Sequence, residues 1–229
     1  MGATVPTDSL WEQTLTFFPQ FVRALNEECR PGATVAVIGA SDGKFVLPLA
    51  AAGYRVVAIE KDPLALNGGE ALLPVSGITY VPGLVERLKE ANLHHRVRIV
   101  CADFLEVESA ETTVDAVWTS CSWHYSVNHR RPLSEFVGRM QRLVRRGGLF
   151  GAEFMMPVEP RHHSIEHYTA PDRLSRYFTN DWEVQLTLHT DWFTERAHVG
   201  QLDDHTHRMG LLIARRDPGG PTRRRIQQQ

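Results

Sequence analysis

Short apolar runs alternate with amphipathic segments along most of the chain. Five runs rich in β-branched residues predict buried strands, at residues 34–39, 55–60, 97–102, 114–120 and 149–156. Three segments with apolar residues at helical spacing predict helices, at residues 44–54, 83–94 and 133–146. Strands that alternate with helices are typical of an α/β protein with a parallel sheet, because each crossover helix returns the chain to the same edge.

Both ends of the chain depart from this alternation. Residues 8–29 carry apolar positions at helical spacing and stop at a Pro-Gly pair, so we predict an N-terminal helical cap over residues 1–30. After a short helix near 171–178, strands at 182–193 and 209–216 follow with no room between them for a crossover helix. The pattern therefore predicts a doubly wound, Rossmann-like α/β fold with a seven-stranded sheet, mostly parallel with a C-terminal antiparallel strand pair.

This fold predicts one main domain over residues 31–216, with two additions. The Gly- and Pro-rich stretch 67–82 exceeds what a crossover needs, and we interpret it as an inserted loop that acts as a mobile flap. Residues 157–180 follow the fifth strand, where this fold class builds a substrate lid. The polar Arg-rich segment 217–229 predicts a disordered tail.

Composition narrows the class of protein. The chain has 229 residues, 42% hydrophobic and 23% charged, with a formal net charge of −2. These values exclude a disordered or disulfide-scaffold protein, and they provide no basic field for nucleic acid or an anionic membrane. The three cysteines form no C-x-x-C pair, and no secretory signal or membrane-length apolar run is visible. We therefore expect a cytoplasmic protein without a nucleic-acid or membrane partner.

Small and acidic residues follow the first three predicted strands. The first strand runs into Gly39-Ala40-Ser41-Asp42-Gly43, where small residues let a ligand approach the backbone at a helix start. Glu60 ends the second strand, and Asp103 with Phe104 ends the third. Open α/β sheets bind ligands at these carboxyl ends, near the reversal of strand order. A carboxylate there accepts hydrogen bonds from ribose hydroxyls, and an acid followed by an aromatic residue suits adenine.

These residues resemble the class I S-adenosylmethionine-dependent methyltransferases. The glycine loop reads V-I-G-A-S-D-G at 37–43, and later segments read E-K-D-P at 60–63, A-D-F at 102–104 and R-R-G-G-L at 145–149. The family's first motif has an acid at the position of Val37 and a glycine at that of Ser41. The resemblance implies S-adenosylmethionine as cofactor. It implies contacts from Gly39, Ala40, Ser41, Asp42, Gly43, Glu60, Lys61, Asp103, Phe104 and Ser120.

Two other functions stay open at this point. A nicotinamide-dependent oxidoreductase needs G-x-G-x-x-G after the first strand, and G-A-S-D-G-K lacks it. A catalytically inactive S-adenosylmethionine-binding protein is compatible with Val37 and Ser41 in the loop. Binding of S-adenosylmethionine, S-adenosylhomocysteine and NADPH distinguishes the three.

The segment after the fourth strand is rich in polar and aromatic residues. It reads T-S-C-S-W-H-Y at 119–125, without the N/D-P-P-Y sequence that base-directed methyltransferases place there. We predict that His124 is the general base or orienting group and that Trp123 and Tyr125 flank the transferred methyl group. The missing N/D-P-P-Y sequence, and the short stretches of chain left to build an acceptor pocket, favour a small-molecule acceptor. We expect N-, O- or S-methylation of a metabolite, as in natural-product biosynthesis. The layout also resembles tellurite- and thiol-detoxifying methyltransferases, so a sulfur or metalloid acceptor stays open.

Candidate acceptor contacts lie in the N-terminal segment and the lid. We predict substrate contacts from Trp11 and Phe18, and from His163, His167 and Tyr168. Residues 163–167 also match H-x-x-E-H, an inverted zinc-protease signature, which we reject because the surrounding pattern is a complete α/β transferase.

Acidic and histidine residues recur near the C-terminus. Asp203, Asp204, His205 and His207 are residue types that bind metals, but short polar clusters of this kind are common in loops. We therefore predict no metal site, and the pattern leaves the oligomeric state open.

Overall fold

The computed structural model describes residues 16–107, 113–199 and 201–219. Its helices are α1 (Phe18–Glu28), α2 (Val46–Ala51), α3 (Pro63–Asn67), α4 (Leu84–Glu90), α5 (Leu133–Leu143) and α6 (Pro171–Leu174). Its strands are β1 (Thr34–Ile38), β2 (Arg55–Glu60), β3 (Gly69–Leu73), β4 (Gly77–Val81), β5 (Val97–Cys101), β6 (Val114–Ser120), β7 (Val144–Met155), β8 (Trp182–His189), β9 (Phe193–Glu195), β10 (His205–His207) and β11 (Met209–Arg216). Short 3₁₀ turns lie at His94–Arg96, Ser126–Asn128, Pro160–Ser164 and Ser175–Tyr177.

Seven strands form one sheet, in the order β5-β2-β1-β6-β7-β11-β8. The pairs among β5, β2, β1, β6 and β7 are parallel, whereas β11 is antiparallel to both β7 and β8. The predicted fold class, with its C-terminal antiparallel pair, is confirmed. Strand order reverses between β1 and β6, because the chain builds outward from β1 to β5 and then returns to the other side of β1. Ligands of open α/β sheets bind at such a reversal.

The central strands are buried on both faces, as is typical of parallel sheets covered by helices. Alternate residues of β6 face opposite cores: Trp118 packs on the α1 and α2 side, and Val117 packs on the α5 side. At the edge, β8 alternates between half-buried and exposed positions. The apolar pattern along β1, β2 and β6 therefore indicates strands buried on both faces. The alternating pattern along β8 indicates a strand buried on one face.

Helix α1 packs closely on the sheet. The Phe21 ring stacks on Trp118 with centroids 4.7 Å apart, and it lies directly over Gly151 of β7. A Cβ atom added at residue 151 would lie 2.4 Å from Phe21 Cδ2. Glycine at this position therefore permits the close contact between α1 and the sheet.

The segment 67–82, predicted as an inserted loop, forms a β-hairpin. Strands β3 and β4 pair antiparallel, from Gly69 opposite Val81 to Leu73 opposite Gly77. Ala71 and Val81 face inward in a small apolar cluster that also contacts Val199. The hairpin thus has a packed face, which the Gly- and Pro-rich composition of the segment concealed.

The predicted lid, 157–180, contains two 3₁₀ turns and the short helix α6. Leu174 and Phe178 are buried in the core on the α5 side, so the second half of the segment packs onto the sheet. Trp11, the first part of the predicted helix at 8–29 and residues 220–229 of the predicted tail lie outside the described residues. In the described part of the chain, no helix is both long and apolar enough to span a bilayer.

Candidate active site

A cleft opens where strand order reverses, at the carboxyl ends of β1, β2 and β5. It is lined by Ile38, Gly39, Ile59, Glu60, Lys61, Ala102, Asp103, Phe104, Ser122, Tyr125, Val127, Asn128 and Phe136. The structure thus brings together five residues predicted at three strand ends, namely Gly39, Glu60, Lys61, Asp103 and Phe104. Ser122, Val127, Asn128 and Phe136 were missed, because nothing in their local pattern indicates that they fold back over the cleft.

The glycine loop is held tightly against β2. The backbone N–H groups of Gly39 and Ala40 both donate to Ile59 O, at 3.0 and 3.1 Å. Ser41 has a φ of 49°, in the left-handed region that glycine adopts most readily. The residue at the position of the family's middle glycine therefore has a glycine-like backbone conformation, and Ser41 N donates to Glu60 Oε2 at 2.8 Å.

Glu60 joins the glycine loop to the turn after β2. Besides the hydrogen bond from Ser41, its Oε1 accepts the backbone N–H groups of Lys61 at 2.8 Å and Asp62 at 2.9 Å. A carboxylate offers about four acceptor positions, so three are used and about one on Oε2 is left for a ligand. The backbone thus fixes the orientation of this carboxylate in the cleft.

Asp103 and Phe104 form the far wall of the cleft. Asp103 Oδ1 accepts Leu105 N at 2.9 Å, and its Oδ2 lies 3.1 Å from Lys61 Nζ. Burial alone would raise the pKa of Asp103, but these hydrogen bonds and the charge of Lys61 hold it below its ordinary value. The Phe104 ring packs against Phe136 with centroids 5.3 Å apart. The wall therefore presents an ionised carboxylate beside an apolar surface.

The loop after β6 holds His124 in one tautomer. Cys121 has a φ of 54°, and its N–H donates to Glu153 O at 2.9 Å. Its carbonyl oxygen accepts a hydrogen bond from His124 Nδ1 at 2.6 Å. Because a carbonyl only accepts, Nδ1 carries the hydrogen and Nε2 of the neutral ring has the lone pair. Burial lowers the pKa of His124 to about 4, although the hydrogen bond to Cys121 opposes the shift.

Residues 36–152, about half of the chain, match the family model described as a methyltransferase domain. The chain belongs to this family. It is a class I methyltransferase. Comparison with curated protein sequences gives no match.

Solved structures share the fold of this methyltransferase at low sequence identity. TehB from Haemophilus influenzae superposes with a TM-score of 0.63 at 15% identity, covering 89% of this chain and 64% of its own. YcgJ from Bacillus subtilis has a TM-score of 0.60 at 11% identity, with coverages of 88% and 98%. The N-methyltransferase NodS from Bradyrhizobium japonicum has a TM-score of 0.54 at 11% identity, with coverages of 87% and 93%. This chain therefore spans less than two thirds of the TehB chain, and these similarities concern the fold.

Two predicted ligand contacts of the methyltransferase are core residues instead. Trp123 is fully buried and packs against Phe136 and Phe154 beneath the loop, so its prediction as a flank for the methyl group is wrong. Phe18 is 4% exposed and packs against Phe45 and Trp118, so it is not open to a substrate. Aromatic residues beside a predicted site are often buried, and sequence spacing alone does not distinguish the two environments.

The side chain of Asp42, in the glycine loop, is paired within the protein. It is fully buried, and its Oδ2 lies 2.6 Å from Arg87 Nη1 of α4. The side chain of Asp42 is therefore used within the protein, and the predicted cofactor contact of this residue stays a prediction. Gly43 closes the same turn, its N–H donating to Ala40 O at 3.0 Å. Both residues thus help to fix the shape of the loop.

Lid residues meet the loop that carries His124. Tyr168 stacks on His162 with ring centroids 3.9 Å apart. The Tyr168 and His124 rings lie edge to face, with centroids 6.0 Å apart. His167 is buried against His129, with centroids 4.8 Å apart. Tyr125 is 44% exposed and lines the cleft. The structure thus places Tyr168 and Tyr125 beside His124, and it places His167 against His129.

The H-x-x-E-H segment does not form a metal site in the described structure. His163 is exposed whereas His167 is buried. Glu166 Oε1 instead accepts Leu133 N at 3.0 Å, at the start of α5. Glu166 is thus engaged at the start of α5, and the predicted substrate contact from His163 stays a prediction.

A buried carboxylate that the sequence did not single out lies at the end of β7. Glu153 accepts the hydroxyl of Ser120 on Oε1 and the backbone N–H of Phe17 on Oε2, both at 2.7 Å. Burial raises the pKa of Glu153, although these hydrogen bonds and the charge of Lys44 oppose the shift. Glu153 thus ties the segment before α1 to β6. The hydroxyl of Ser120 is directed to this carboxylate, and its predicted cofactor contact stays a prediction.

Proposed function

We propose that this methyltransferase transfers the methyl group of S-adenosylmethionine to a small-molecule acceptor. The observation that carries the proposal is the cleft at the strand-order reversal, with Glu60 on one wall and Asp103 and Phe104 on the other. His124 stands in the loop beside it, and Tyr125 of that loop lines it.

The residues of the cleft fit S-adenosylmethionine by their chemistry. The remaining acceptor position on Glu60 Oε2 suits a ribose hydroxyl. Phe104 and Ile59 give adenine an apolar surface, and the ionised Asp103 suits its exocyclic amine. Because Lys61 lies 3.1 Å from Asp103, this contact requires that the Lys61 side chain share or leave the carboxylate. That movement has a small energetic cost, since exposed ion pairs contribute only about 0–1 kcal/mol.

When bound, S-adenosylmethionine supplies an electrophilic methyl group. The protein's task is to place a nucleophile in line with it and to accept a proton where the acceptor arrives protonated. Neutral His124, with Nδ1 held by Cys121 O, offers Nε2 for that proton. Tyr125 and Tyr168 provide aromatic surface around the position of an acceptor.

A small acceptor agrees with the charge and the size of the chain. The formal net charge of −2 gives no attraction for a polynucleotide. Outside the sheet and its covering helices, the described chain offers only the β3–β4 hairpin, residues 157–180 and the segment between β8 and β11 to surround an acceptor. These are short elements, suited to enclosing a metabolite.

Calorimetric titration tests the cofactor assignment. We expect S-adenosylmethionine and S-adenosylhomocysteine to bind and NADPH not to bind. Glu60→Ala is expected to weaken binding about tenfold or more, since hydrogen bonds to a charged group contribute about 1.5–3 kcal/mol. Glu70→Ala, at an exposed carboxylate of β3, serves as the control and should bind like the wild type. Binding of NADPH alone, or equal affinity in both variants, would overturn the assignment.

Labelled methyl transfer to a size-fractionated cell extract tests the acceptor class. Label in the low-molecular-weight fraction supports the proposal and allows the product to be identified by mass. Label in nucleic acid or protein overturns the small-molecule acceptor. Cofactor binding without label in any fraction favours an inactive binding protein.

A further inference from the structure

The segment between β8 and β11 carries a cluster of metal-ligand side chains that the proposed methyl transfer does not use. Strands β9 and β10 form a two-stranded ribbon, with His205 opposite Glu195 and His207 opposite Phe193. Directly opposed residues and those two positions along share one face of a ribbon. Glu195, His205 and His207 therefore project from the same face, and His198 in the turn joins them.

The ligand atoms of this cluster converge on one carboxylate oxygen. Glu195 Oε2 lies 3.5 Å from Nε2 of His205, 3.9 Å from Nε2 of His198 and 2.7 Å from Nε2 of His207. One ligand atom from each of Glu195, His198 and His205 lies within 4.8 Å of the others. Zinc–ligand bonds of about 2.0–2.2 Å place tetrahedral ligand atoms roughly 3.3–3.6 Å apart. Shifts of a few tenths of an ångström up to about 1 Å would bring the three into that geometry.

Backbone carbonyl groups orient two of the imidazole rings. His198 Nδ1 donates to Val199 O at 2.8 Å, and His205 Nδ1 donates to Asp203 O at 3.0 Å. Each Nδ1 therefore carries a hydrogen, which makes Nε2 the coordinating atom of the neutral ring. Metal-binding histidines commonly have such a partner on the other ring nitrogen. A lone pair on each Nε2 faces a carboxylate oxygen unfavourably, so either a proton on each ring or a metal ion between the groups stabilises the arrangement.

His207 supports the cluster from the sheet side. Its side chain is 11% exposed, and its Nε2 approaches Glu195 Oε2 without the alignment of a hydrogen bond. The Phe193 ring packs near it, with centroids 6.1 Å apart. His207 is therefore positioned to orient the Glu195 carboxylate while the other three groups take a cation.

We propose that Glu195, His198 and His205 bind a divalent transition-metal ion of the zinc type, with His207 as a positioning residue for Glu195. Two imidazoles and one carboxylate match the ligand preference of Zn²⁺, whereas Mg²⁺ prefers oxygen ligands throughout. Three protein ligands leave a fourth position for water or another ligand. From the sequence we predicted no metal site, because short polar clusters are common in loops. The register of β9 on β10, which brings Glu195 opposite His205, is not visible in residue spacing.

The cluster lies at the same edge of the sheet as the cleft. Strand β11 is antiparallel to β7, with Met209 opposite Met155, and Met156 N donates to Arg208 O at 2.8 Å. His207 therefore lies beside the carboxyl end of β7, at the edge where β1 and β6 also end. Resting on the proposed function, this places the open metal position on the acceptor side, where it suits an acceptor with a thiolate, phenolate or carboxylate.

Metal analysis of the full chain without a histidine tag tests the site. We expect one Zn²⁺ per chain after exposure to the metal and dialysis, and no retention of Mg²⁺. His205→Ala and Glu195→Ala each remove a ligand and are expected to weaken Zn²⁺ binding about hundredfold or more. His207→Ala removes a group that orients a ligand and is expected to weaken binding about tenfold. His95→Ala, at a histidine in the 3₁₀ turn before β5, is the control and should bind normally.

Two further measurements separate the possible outcomes. Circular dichroism and S-adenosylmethionine titration of each variant show whether the fold and the cleft are intact, independently of the metal. Glu195→Gln keeps the shape of the side chain and should still weaken binding, because the charge is lost. No stoichiometric Zn²⁺ in the wild type, or unchanged binding in folded His205→Ala, would overturn the proposal and leave the cluster as an ion-pair network.

Discussion

Arg87 Nη1 lies 2.6 Å from Asp42 Oδ2, and both side chains are almost fully buried. This ion pair joins the glycine loop to α4, and Nη1 also donates to Asp42 O at 3.2 Å. Removing one partner of a buried pair leaves an uncompensated charge, which commonly costs about 3–5 kcal/mol. We expect Arg87→Met to lower the free energy of unfolding in urea by about that amount. The double variant Asp42→Asn/Arg87→Met should be less destabilised, and equal losses in the two proteins would contradict this account.

Substitution at Gly151 tests the packing of α1 on the sheet. A methyl group there would lie 2.4 Å from Phe21 Cδ2 and 2.9 Å from Trp118 Cε3, so one of the elements must shift. Gly151→Ala should lower the free energy of unfolding by about 1–3 kcal/mol, the usual range for an overpacked core. Gly138→Ala on α5 is the matched control, since the nearest atom is the end of the Arg142 side chain at 3.5 Å. It should be neutral or stabilising by up to about 1 kcal/mol, and a similar loss in both variants would contradict this explanation.

The sheet was predictable because its strands are buried on one or both faces and therefore carry a strong periodic signal. The β3–β4 hairpin was not, since its stability depends on pairing and on the packing of Ala71 and Val81 against a distant segment. Flanking glycines and prolines indicated only a loop. Local composition therefore did not reveal a short hairpin that is stabilised by contacts with a distant segment.

The candidate site likewise contains residues that could be predicted from the sequence and residues that could not. Glu60 and Asp103 were predictable because strand ends are fixed by the fold class, and both line the cleft. Trp123 and Asp42 lie within a few residues of the cleft yet point into the protein. Arg87 and Glu153 were missed because their partners are distant in sequence, at Asp42 and at Phe17.

Glu153 predicts a pH-dependent component of stability. Burial raises the pKa of its carboxyl group above 4.5, and the charge of Glu195 adds to the increase. The hydrogen bonds from Ser120 and Phe17 and the charge of Lys44 lower this pKa, but they do not cancel the effect of burial. The folded protein therefore holds a proton to a higher pH than the unfolded chain does. The Glu153 contribution to the free energy of unfolding consequently falls as pH rises from 4.5 through the folded pKa.

Glu153→Gln lacks this titration and retains an acceptor for Phe17 N and a donor for Ser120. In metal-free buffer, we expect urea unfolding to show the wild type losing stability relative to Glu153→Gln as pH rises from about 4.5 to about 7.5. Glu27→Gln, at an exposed carboxylate of α1, is the control and should follow the wild type. Parallel profiles for wild type and Glu153→Gln would contradict the raised pKa.

His124 predicts a pH profile unlike that of an ordinary histidine base. Burial lowers its pKa to about 4, although the hydrogen bond to Cys121 O opposes the shift. The ring therefore stays neutral at pH values well below 6.5, the ordinary pKa of histidine. Its stabilising contribution is complete above 6.5 and is lost as pH falls from 6.5 toward 4, since the unfolded chain takes up the proton first. Titration of the His124 ring signal by NMR should show its midpoint near 4.

If His124 Nε2 takes up the proton of the methyl acceptor, His124→Ala should lower kcat about 10²-fold or more. The Kd for S-adenosylmethionine should stay within about twofold of the wild-type value. His124→Asn, which keeps a donor near Cys121 O without an Nε2 base, should lose as much turnover as alanine and retain more stability. The rate of the wild type should not fall with histidine protonation between about pH 8 and 5, because the neutral ring persists through that range. A fully active His124→Ala protein, or a rate that halves near the ordinary histidine pKa, would remove His124 as the base.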